Sequence, residues 1–208
     1  MNCDGIIFDV DGTLWDSTPI VEKAWNQALI DYGYPQYSVT ADRLRGLFGL
    51  PMEDIIADIM PEVPYEKRKA FEPMCFSYEH AYLEKESGIL YPDLAEALEI
   101  LNRKYPLAIV SNCQAGYIEL FLRKSGLEKV FRDHLCPGDE PHLLKADNIR
   151  IIANRNGMKN PVYVGDTQMD ANACKAAGVP IVYCAYGFGK VENPDFTVHS
   201  PMEWTKLF

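Results

Sequence analysis

The feature that most constrains this chain is a short apolar run at residues 6–8, which is followed by two aspartates, Asp9 and Asp11. An unbroken apolar run predicts a strand that is covered on both faces, as in a parallel sheet. Open α/β sheets bind ligands at the carboxyl ends of their strands, which is where both carboxylates would lie. Two ionised carboxylates are costly to bury unless a positive group compensates them. The stretch therefore indicates a ligand site, with a solvated Asp-Gly turn as the alternative.

The overall charge limits the kinds of molecule that the protein is expected to bind. The chain has 208 residues and a formal net charge of −10 at pH 7, and 48% of its residues are hydrophobic. This composition predicts a soluble globular protein with a full core. The negative charge argues against nucleic acid or an anionic membrane as a partner. An anionic substrate would need a local positive centre, and a divalent cation would supply one.

The cysteines and histidines give no sign of a zinc site. The six cysteines form no CxxC pair and lie at no metal-type spacing from the four histidines, so free thiols in a reducing compartment are expected. The histidines, His142 among them, share no spacing and are predicted to lie at the surface or at the edge of the core. The sequence contains no recognisable leader and no apolar run of membrane-spanning length. We therefore predict a cytoplasmic protein, monomeric or homodimeric.

The pattern of apolar residues divides the chain into two kinds of structure. Helical patterns cover residues 19–32, 42–48, 52–60 and 65–86, with no good strand between residues 15 and 87. From residue 90 onward, helices alternate with strands. The predicted strands are residues 107–110, 130–136, 161–165 and 181–184, and the predicted helices are residues 93–104, 116–124, 146–156 and 169–177. Residues 196–198 and a turn around Trp204 finish the chain. We predict an α/β core of residues 1–14 and 88–208, a doubly wound, Rossmann-like parallel sheet, with an all-helical cap domain of residues 15–87 inserted.

Polar residues follow several of these strands at the edge where ligands bind. Ser111 and Asn112 follow the strand at 107–110, and Asp166 and Asp170 follow the strand at 161–165. Lys145 stands at the head of a predicted helix. In order and spacing, these motifs and the first one resemble those of haloacid dehalogenase-like hydrolases, in the phosphoglycolate phosphatase-like branch that carries a helical cap after the first motif.

The resemblance implies a phosphatase, and the residue types suit that chemistry. Asp9 would be the nucleophile that forms an aspartyl-phosphate, and Asp11 the general acid and base. The phosphate would be bound by Gly12, Thr13, Ser111, Asn112 and Lys145. The family usually has a proline after this lysine, where Ala146 stands here, and Lys159 is a weaker competitor for the role. Mg²⁺ would be held by Asp9, the backbone carbonyl of Asp11 and Asp166, with Asp170 bound directly or through water.

The resemblance also implies a role for the helical insertion, as a mobile cap that closes over a small phosphorylated metabolite. Trp15 follows the first motif and could line the entrance. Arg43 and Arg45 precede a Gly-Leu-Pro break that resembles the substrate-facing loop of the family. Two solvated helix arginines are the alternative for this pair.

Other activities of the same family are less well supported by the sequence. Asp11 argues against dehalogenases, which lack an acid there. Val21 and Met52 stand where hexose-phosphate mutases tend to carry His and Arg, which favours hydrolysis of a small phosphate monoester over a mutase. A phosphonate hydrolase using a cap lysine, such as Lys23, stays open. The alternative from a different class is a non-catalytic or receiver-like regulatory protein, which the intact aspartates and the insertion oppose.

Overall fold

A computed structural model describes residues 2–139 and 144–208. The chain divides into two compact units, the first formed by Met1–Asp16 with Leu90–Phe208 and the second by Ser17–Ile89. Both boundaries lie two residues after the predicted ones. His142 lies outside the described residues, whereas His80 and His134 are half-buried and His199 is exposed, as predicted. All six cysteines are free thiols.

The first unit is built on a six-stranded sheet. Its strands are β1 (Gly5–Phe8), β4 (Leu107–Val110), β5 (Asp133–Leu135), β6 (Pro161–Gly165), β7 (Ile181–Cys184) and β8 (Phe196–Val198). The strand order is β5-β4-β1-β6-β7-β8, and every neighbouring pair is parallel. The order runs outward in both directions from β1, which is the doubly wound arrangement. The prediction of an α/β, Rossmann-like core is confirmed.

Helices cover this sheet and supply its apolar layers. They are α5 (Leu94–Asn102), α6 (Tyr117–Ser125), α7 (Lys145–Arg155), α8 (Gln168–Ala177) and α9 (Trp204–Leu207), with a 3₁₀ turn at Pro201–Glu203. One core cluster joins Ile7 of β1 and Tyr163 of β6 to Ile149 and Ile152 of α7. Because β1 is apolar on both faces and fully buried, it can lie only in the centre of such a sheet.

The regular secondary structure of the second unit is helical, except that its last residue belongs to a two-residue strand. It contains α1 (Thr18–Asp31), α2 (Ala41–Leu47), α3 (Met52–Ile59) and α4 (Tyr65–Lys85). Its own core includes Trp25 and Phe71, and the Trp25 indole donates a hydrogen bond of 2.9 Å to the buried Glu79 carboxylate. A core that satisfies its own buried polar groups is consistent with a separate unit.

Two details differ from the sequence-based prediction. Trp15–Asp16 (β2) and Ile89–Leu90 (β3) form a separate two-stranded sheet that the sequence did not indicate. Strands of two residues are too short to carry an alternating pattern. The weak strand predicted at residues 130–136 is reduced to β5. No helix within residues 2–139 and 144–208 is both long enough and apolar enough to cross a membrane.

Candidate active site

The ends of the three central strands bring the first polar residues of the site together. Phe8, the last residue of β1, is level with Ile109 in β4 and with Val164 in β6. The next residue, Asp9, donates its backbone N–H to the Val164 carbonyl at 2.9 Å. Ser111 and Asp166 follow the last residues of β4 and β6 and are buried. The sheet therefore places a hydroxyl and two carboxylates at one edge.

Lys145 is the cation of this cluster. It is the first residue of α7, and its Nζ donates to Asp9 Oδ1 at 2.9 Å and to Asp170 Oδ1 at 2.5 Å. Burial alone would lower the pKa of Lys145, but the two carboxylates raise it above its ordinary value, so the ammonium stays charged. Lys159 precedes β6 at the opposite end of the sheet, where its backbone N–H donates to Asp4. The structure thus brings Lys145 to the cluster and places Lys159 elsewhere.

Asp170 is held by more hydrogen bonds than its neighbours. Thr167 caps α8, and Asp170 Oδ2 accepts from the Thr167 backbone N–H at 2.9 Å and from its hydroxyl at 2.7 Å. The Asp166 backbone N–H donates to the same oxygen at 3.2 Å. Burial opposes ionisation, yet Lys145 and the Thr167 donors hold the pKa of Asp170 below its ordinary value. Both of its oxygens already have donors within the protein.

The pKa of Asp166 is shifted in the opposite direction from that of Asp170. It is fully buried, and Phe188 donates its backbone N–H to Oδ2 at 2.7 Å. Burial, followed by the charges of Asp170 and Asp9, raises the pKa of Asp166 well above its ordinary value. Burial also raises the pKa of Asp9, although Lys145 opposes the shift. Within residues 2–139 and 144–208, Asp166 forms no ion pair. The cluster therefore holds more negative charge than its single ammonium balances.

Two glycines allow the backbone to approach Asp166 closely. Gly12 has a φ of +78°, and a Cβ there would lie 2.1 Å from Asp166 Oδ2. A Cβ on Gly187 would lie 2.3 Å from Asp166 Cβ and 2.5 Å from the Gly12 carbonyl oxygen. The loop after β7, which carries Gly187 and Phe188, is thus part of the site. The sequence analysis missed it, although its Gly-Phe-Gly triplet, which begins three residues after the end of β7, was a usable signal.

Asp11 lies beside this cluster with partners of its own. Its Oδ1 accepts from Trp15 Nε1 at 3.1 Å and from the Tyr117 hydroxyl at 2.9 Å. Trp15 was predicted to contact substrate, and that role stays a prediction. The side chain is buried against Tyr117 and Phe121, and its N–H is committed to Asp11. Tyr117 was not predicted, because a tyrosine in the first turn of an amphipathic helix looks like a core residue.

The predicted phosphate contacts of Gly12 and Thr13 also stay predictions, and the structure shows how both residues are held. The Gly12 N–H donates to the Trp15 carbonyl at 2.9 Å and the Thr13 N–H to the Val10 carbonyl at 3.2 Å, so both close the turn. The Thr13 hydroxyl is buried and faces Asp166 Oδ1 at 3.4 Å. Both residues therefore support Asp166 and the turn that follows β1.

Four predicted residues remain, two near Asp9 in the first unit and two arginines in the second unit. Ser111 is hydrogen-bonded to Asp9, whereas Asn112 is exposed. In the second unit, Arg43 donates Nε to Asp58 Oδ1 at 2.9 Å, and Arg45 pairs with Asp42 at 2.5 Å. Both guanidinium groups therefore have carboxylate partners in their own unit, and their role in substrate recognition stays a prediction.

Comparison with known proteins places this site in a family. The model of the family described as "Haloacid dehalogenase-like hydrolase" matches residues 6–184. The chain belongs to the haloacid dehalogenase-like hydrolases. The sequence-based identification is thereby confirmed, and the matched region contains Asp9, Ser111, Lys145, Asp166 and Asp170.

Individual relatives agree with the family assignment. A phosphoglycolate phosphatase from Vibrio parahaemolyticus is 28% identical over 95% of this chain and 92% of its own. A phosphoglycolate phosphatase from Escherichia coli O157:H7 is 27% identical over 93% and 85%. The crystal structure of a predicted phosphoglycolate phosphatase from Haemophilus somnus has a TM-score of 0.86 at 24% identity, covering 98% and 97%, which supports the fold. The prediction of a phosphatase-type hydrolase is confirmed at this level.

The site of this haloacid dehalogenase-like hydrolase fits a divalent metal ion. Oxygen atoms of Asp9, Asp166 and Asp170 lie within 4.8 Å of one another, and all three residues are buried. Carboxylate oxygens are the ligands that hard cations such as Mg²⁺ prefer. A cation would also offset the charge that raises the pKa of Asp166. The donor set and the uncompensated charge both suit a divalent cation.

The close packing around Asp166 leads to a prediction about the loop. Gly187→Ala should lower the free energy of unfolding by about 1–3 kcal/mol, because its Cβ would overlap Asp166 and a backbone carbonyl that cannot move aside. It should also raise the concentration of Mg²⁺ needed for half-maximal activity, since Asp166 must shift. Denaturant unfolding and a metal titration of hydrolysis measure the two effects.

Gly46→Ala is the matched control, because no atom lies within 4 Å of its Cβ and it stands in α2. It should be neutral or slightly stabilising, as expected for replacing a helical glycine. A Gly187→Ala protein with unchanged stability and metal requirement would show that the loop does not support Asp166.

Proposed function

We propose that this chain is a Mg²⁺-dependent phosphatase that hydrolyses a small phosphate monoester through an aspartyl-phosphate on Asp9. The observation that carries the proposal is the contact of Asp9 with Lys145 at the edge of the sheet, 2.9 Å between Oδ1 and Nζ. A buried carboxylate beside a fixed ammonium suits attack on an anionic group, because the ammonium lowers the repulsion between the carboxylate and that group.

Lys145 has the capacity to contact both the nucleophile and the substrate. An ammonium group has three N–H donors. Two of them go to Asp9 and Asp170, which leaves the third for a phosphate oxygen within the described part of the site. Ser111, which already contacts Asp9, and the neighbouring Asn112 N–H are the further donors in the proposal. Asp170 orients Lys145 and so contributes without touching the phosphate.

The metal would be held by Asp9 and Asp166, with the Asp11 carbonyl as the third protein ligand. Both oxygens of Asp170 accept hydrogen bonds within the protein, so in the proposal Asp170 binds the metal through water. When bound, Mg²⁺ neutralises charge that develops on the phosphoryl oxygens. The chain's own residues supply the nucleophile, the acid and the phosphate donors.

The second unit is proposed to act as a cap that closes over the site and recognises the group that carries the phosphate. It has its own core and is joined to the first unit at residues 16–17 and 89–90. Two connections of this kind are typical of hinged domains, and closure would exclude bulk water from the reaction. Compact metabolites are favoured as substrates over proteins or nucleic acid.

The relatives named phosphoglycolate phosphatase make 2-phosphoglycolate the first ester to test. Phosphate release should be measured over a panel that also contains glycerol 3-phosphate, sugar phosphates and nucleotides, with and without Mg²⁺. At least one small ester should reach a kcat/KM of about 10⁴ M⁻¹s⁻¹ or more. No release from any ester would contradict the proposal, and isomerisation of a sugar phosphate without release would indicate a mutase.

A further inference from the structure

One oxygen of Asp11 is occupied by two donors from separate parts of the first unit. Trp15 Nε1 lies 3.1 Å and the Tyr117 hydroxyl 2.9 Å from Asp11 Oδ1. Trp15 comes four residues after Asp11, whereas Tyr117 begins α6 more than a hundred residues later. A carboxylate oxygen that accepts two such bonds has both of its lone pairs engaged.

The two donors are themselves held in place. Each side chain is only 1% exposed, and their rings meet edge to face at 6.0 Å between centroids. Trp15 also packs edge to face on Phe121, 5.0 Å away, and its backbone carbonyl accepts from the Gly12 N–H. Side chains packed in this way have few alternative rotamers. The two bonds therefore fix the orientation of the Asp11 carboxyl group.

We propose that Trp15 and Tyr117 are positioning residues that hold the Asp11 carboxyl group in the orientation that proton transfer needs. The inference rests on the proposed function, since it takes Asp11 as the acid and base. A general acid contributes only when its proton is held toward the leaving oxygen, and two buried donors provide that constraint.

Each step is balanced at defined atoms. As an Asp9 oxygen forms a bond to phosphorus, the bond from phosphorus to the ester oxygen breaks, and the Asp11 carboxyl group gives its proton to that oxygen. In the second step, water attacks phosphorus and gives a proton to the Asp11 carboxylate while the bond between phosphorus and Asp9 breaks. The products are the alcohol and phosphate, and Asp11 is protonated again.

The test compares two aryl phosphates that differ in their need for an acid. Phenyl phosphate has the poorer leaving group and depends on proton donation, whereas 4-nitrophenyl phosphate depends on it little. Tyr117→Phe should lower kcat/KM for phenyl phosphate about 10-fold and for 4-nitrophenyl phosphate about 2-fold or less, within the range that general acids contribute. A purely structural role would lower both equally, so the ratio of the two constants is the readout.

The control is Tyr105→Phe, which removes another tyrosine hydroxyl bonded to the protein, at 3.0 Å from the Phe208 carbonyl. It should leave the ratio unchanged. If Tyr117→Phe does not fold, Trp15→Phe provides the same comparison, and failure of both to fold would assign the pair a structural role and overturn the proposal. An unchanged ratio in a folded variant overturns it as well. Wild-type protein that releases phosphate neither from these aryl esters nor from any ester of the metabolite panel would instead refute the proposed function, and this inference with it.

Discussion

Asp9→Asn is expected to reduce hydrolysis by a factor on the order of 10⁴ or more, as loss of the nucleophile does in other covalent enzymes. The amide keeps the shape of the side chain but cannot form the aspartyl-phosphate. The fold should persist, because Lys145 keeps its 2.5 Å contact with Asp170 when the contact to Asp9 is lost. Phosphate release and a melting curve measure the two properties.

The covalent step can be observed directly. Wild-type protein quenched in acid during turnover should carry a phosphoryl group on the peptide that contains Asp9, and the Asp9→Asn protein should not. Asp133→Asn is the control, since Asp133 pairs with Arg155 at the other end of the sheet and should leave turnover intact. Substantial turnover by a well-folded Asp9→Asn protein would exclude this residue as the nucleophile.

Removal of divalent metal is expected to abolish activity, and Mg²⁺ should restore it. At about 100 times its dissociation constant, Mg²⁺ should add about 2.7 kcal/mol of stability. For a chain of this size that corresponds to a rise in Tm of about 5–10 °C. Asp166→Asn should remove this shift, and it should not destabilise the metal-free protein, because the change relieves repulsion from Asp9 and Asp170.

The rise in Tm that Mg²⁺ causes should also depend on pH, and the raised pKa of Asp166 sets the direction of that dependence. Between the ordinary pKa of an aspartate and this raised value, the folded metal-free protein holds a proton that the unfolded chain has lost. The stability of the metal-free protein therefore falls as pH rises through that window. Mg²⁺ binds the ionised carboxylates, so the Tm shift that it causes should grow over the same window. Full activity after chelation, or a Tm indifferent to Mg²⁺, would contradict the metal assignment.

The sheet was predictable because its central strands have patterns that only one kind of structure explains. The bounds of β4, β6 and β7 agree with the prediction to the residue, since each is a short apolar or β-rich run between turn signals. β2 and β3 contain two residues each and left no such pattern. Strand order could not be obtained from the sequence, because it depends on which helix crosses which face of the sheet.

The carboxylates were predictable because they stand directly after apolar strands, and Lys145 was predicted from its place in the family pattern at the head of a helix. The residues that support these side chains could not be predicted from the sequence. Tyr117 has the apolar spacing of a core helix position, and only the fold brings its hydroxyl to Asp11. Phe188 acts through its backbone N–H, which any residue would supply, so the identity of the side chain holds no information about its contact with Asp166. Residues that act through another residue's side chain leave a weaker trace in the sequence than residues that do the chemistry.

The central place of β1 affects how the chain can assemble during synthesis. β1 is made first, but its two neighbours are β4, which begins at Leu107, and β6, which begins at Pro161. At a rate of about 5–20 residues per second, the first strand waits several seconds with its backbone edges unpaired. The helical unit at Ser17–Ile89 needs no part of that sheet for its own core and contains mostly local contacts, which form fast. The nascent chain therefore has a compact helical segment while β1 still lacks both of its partner strands.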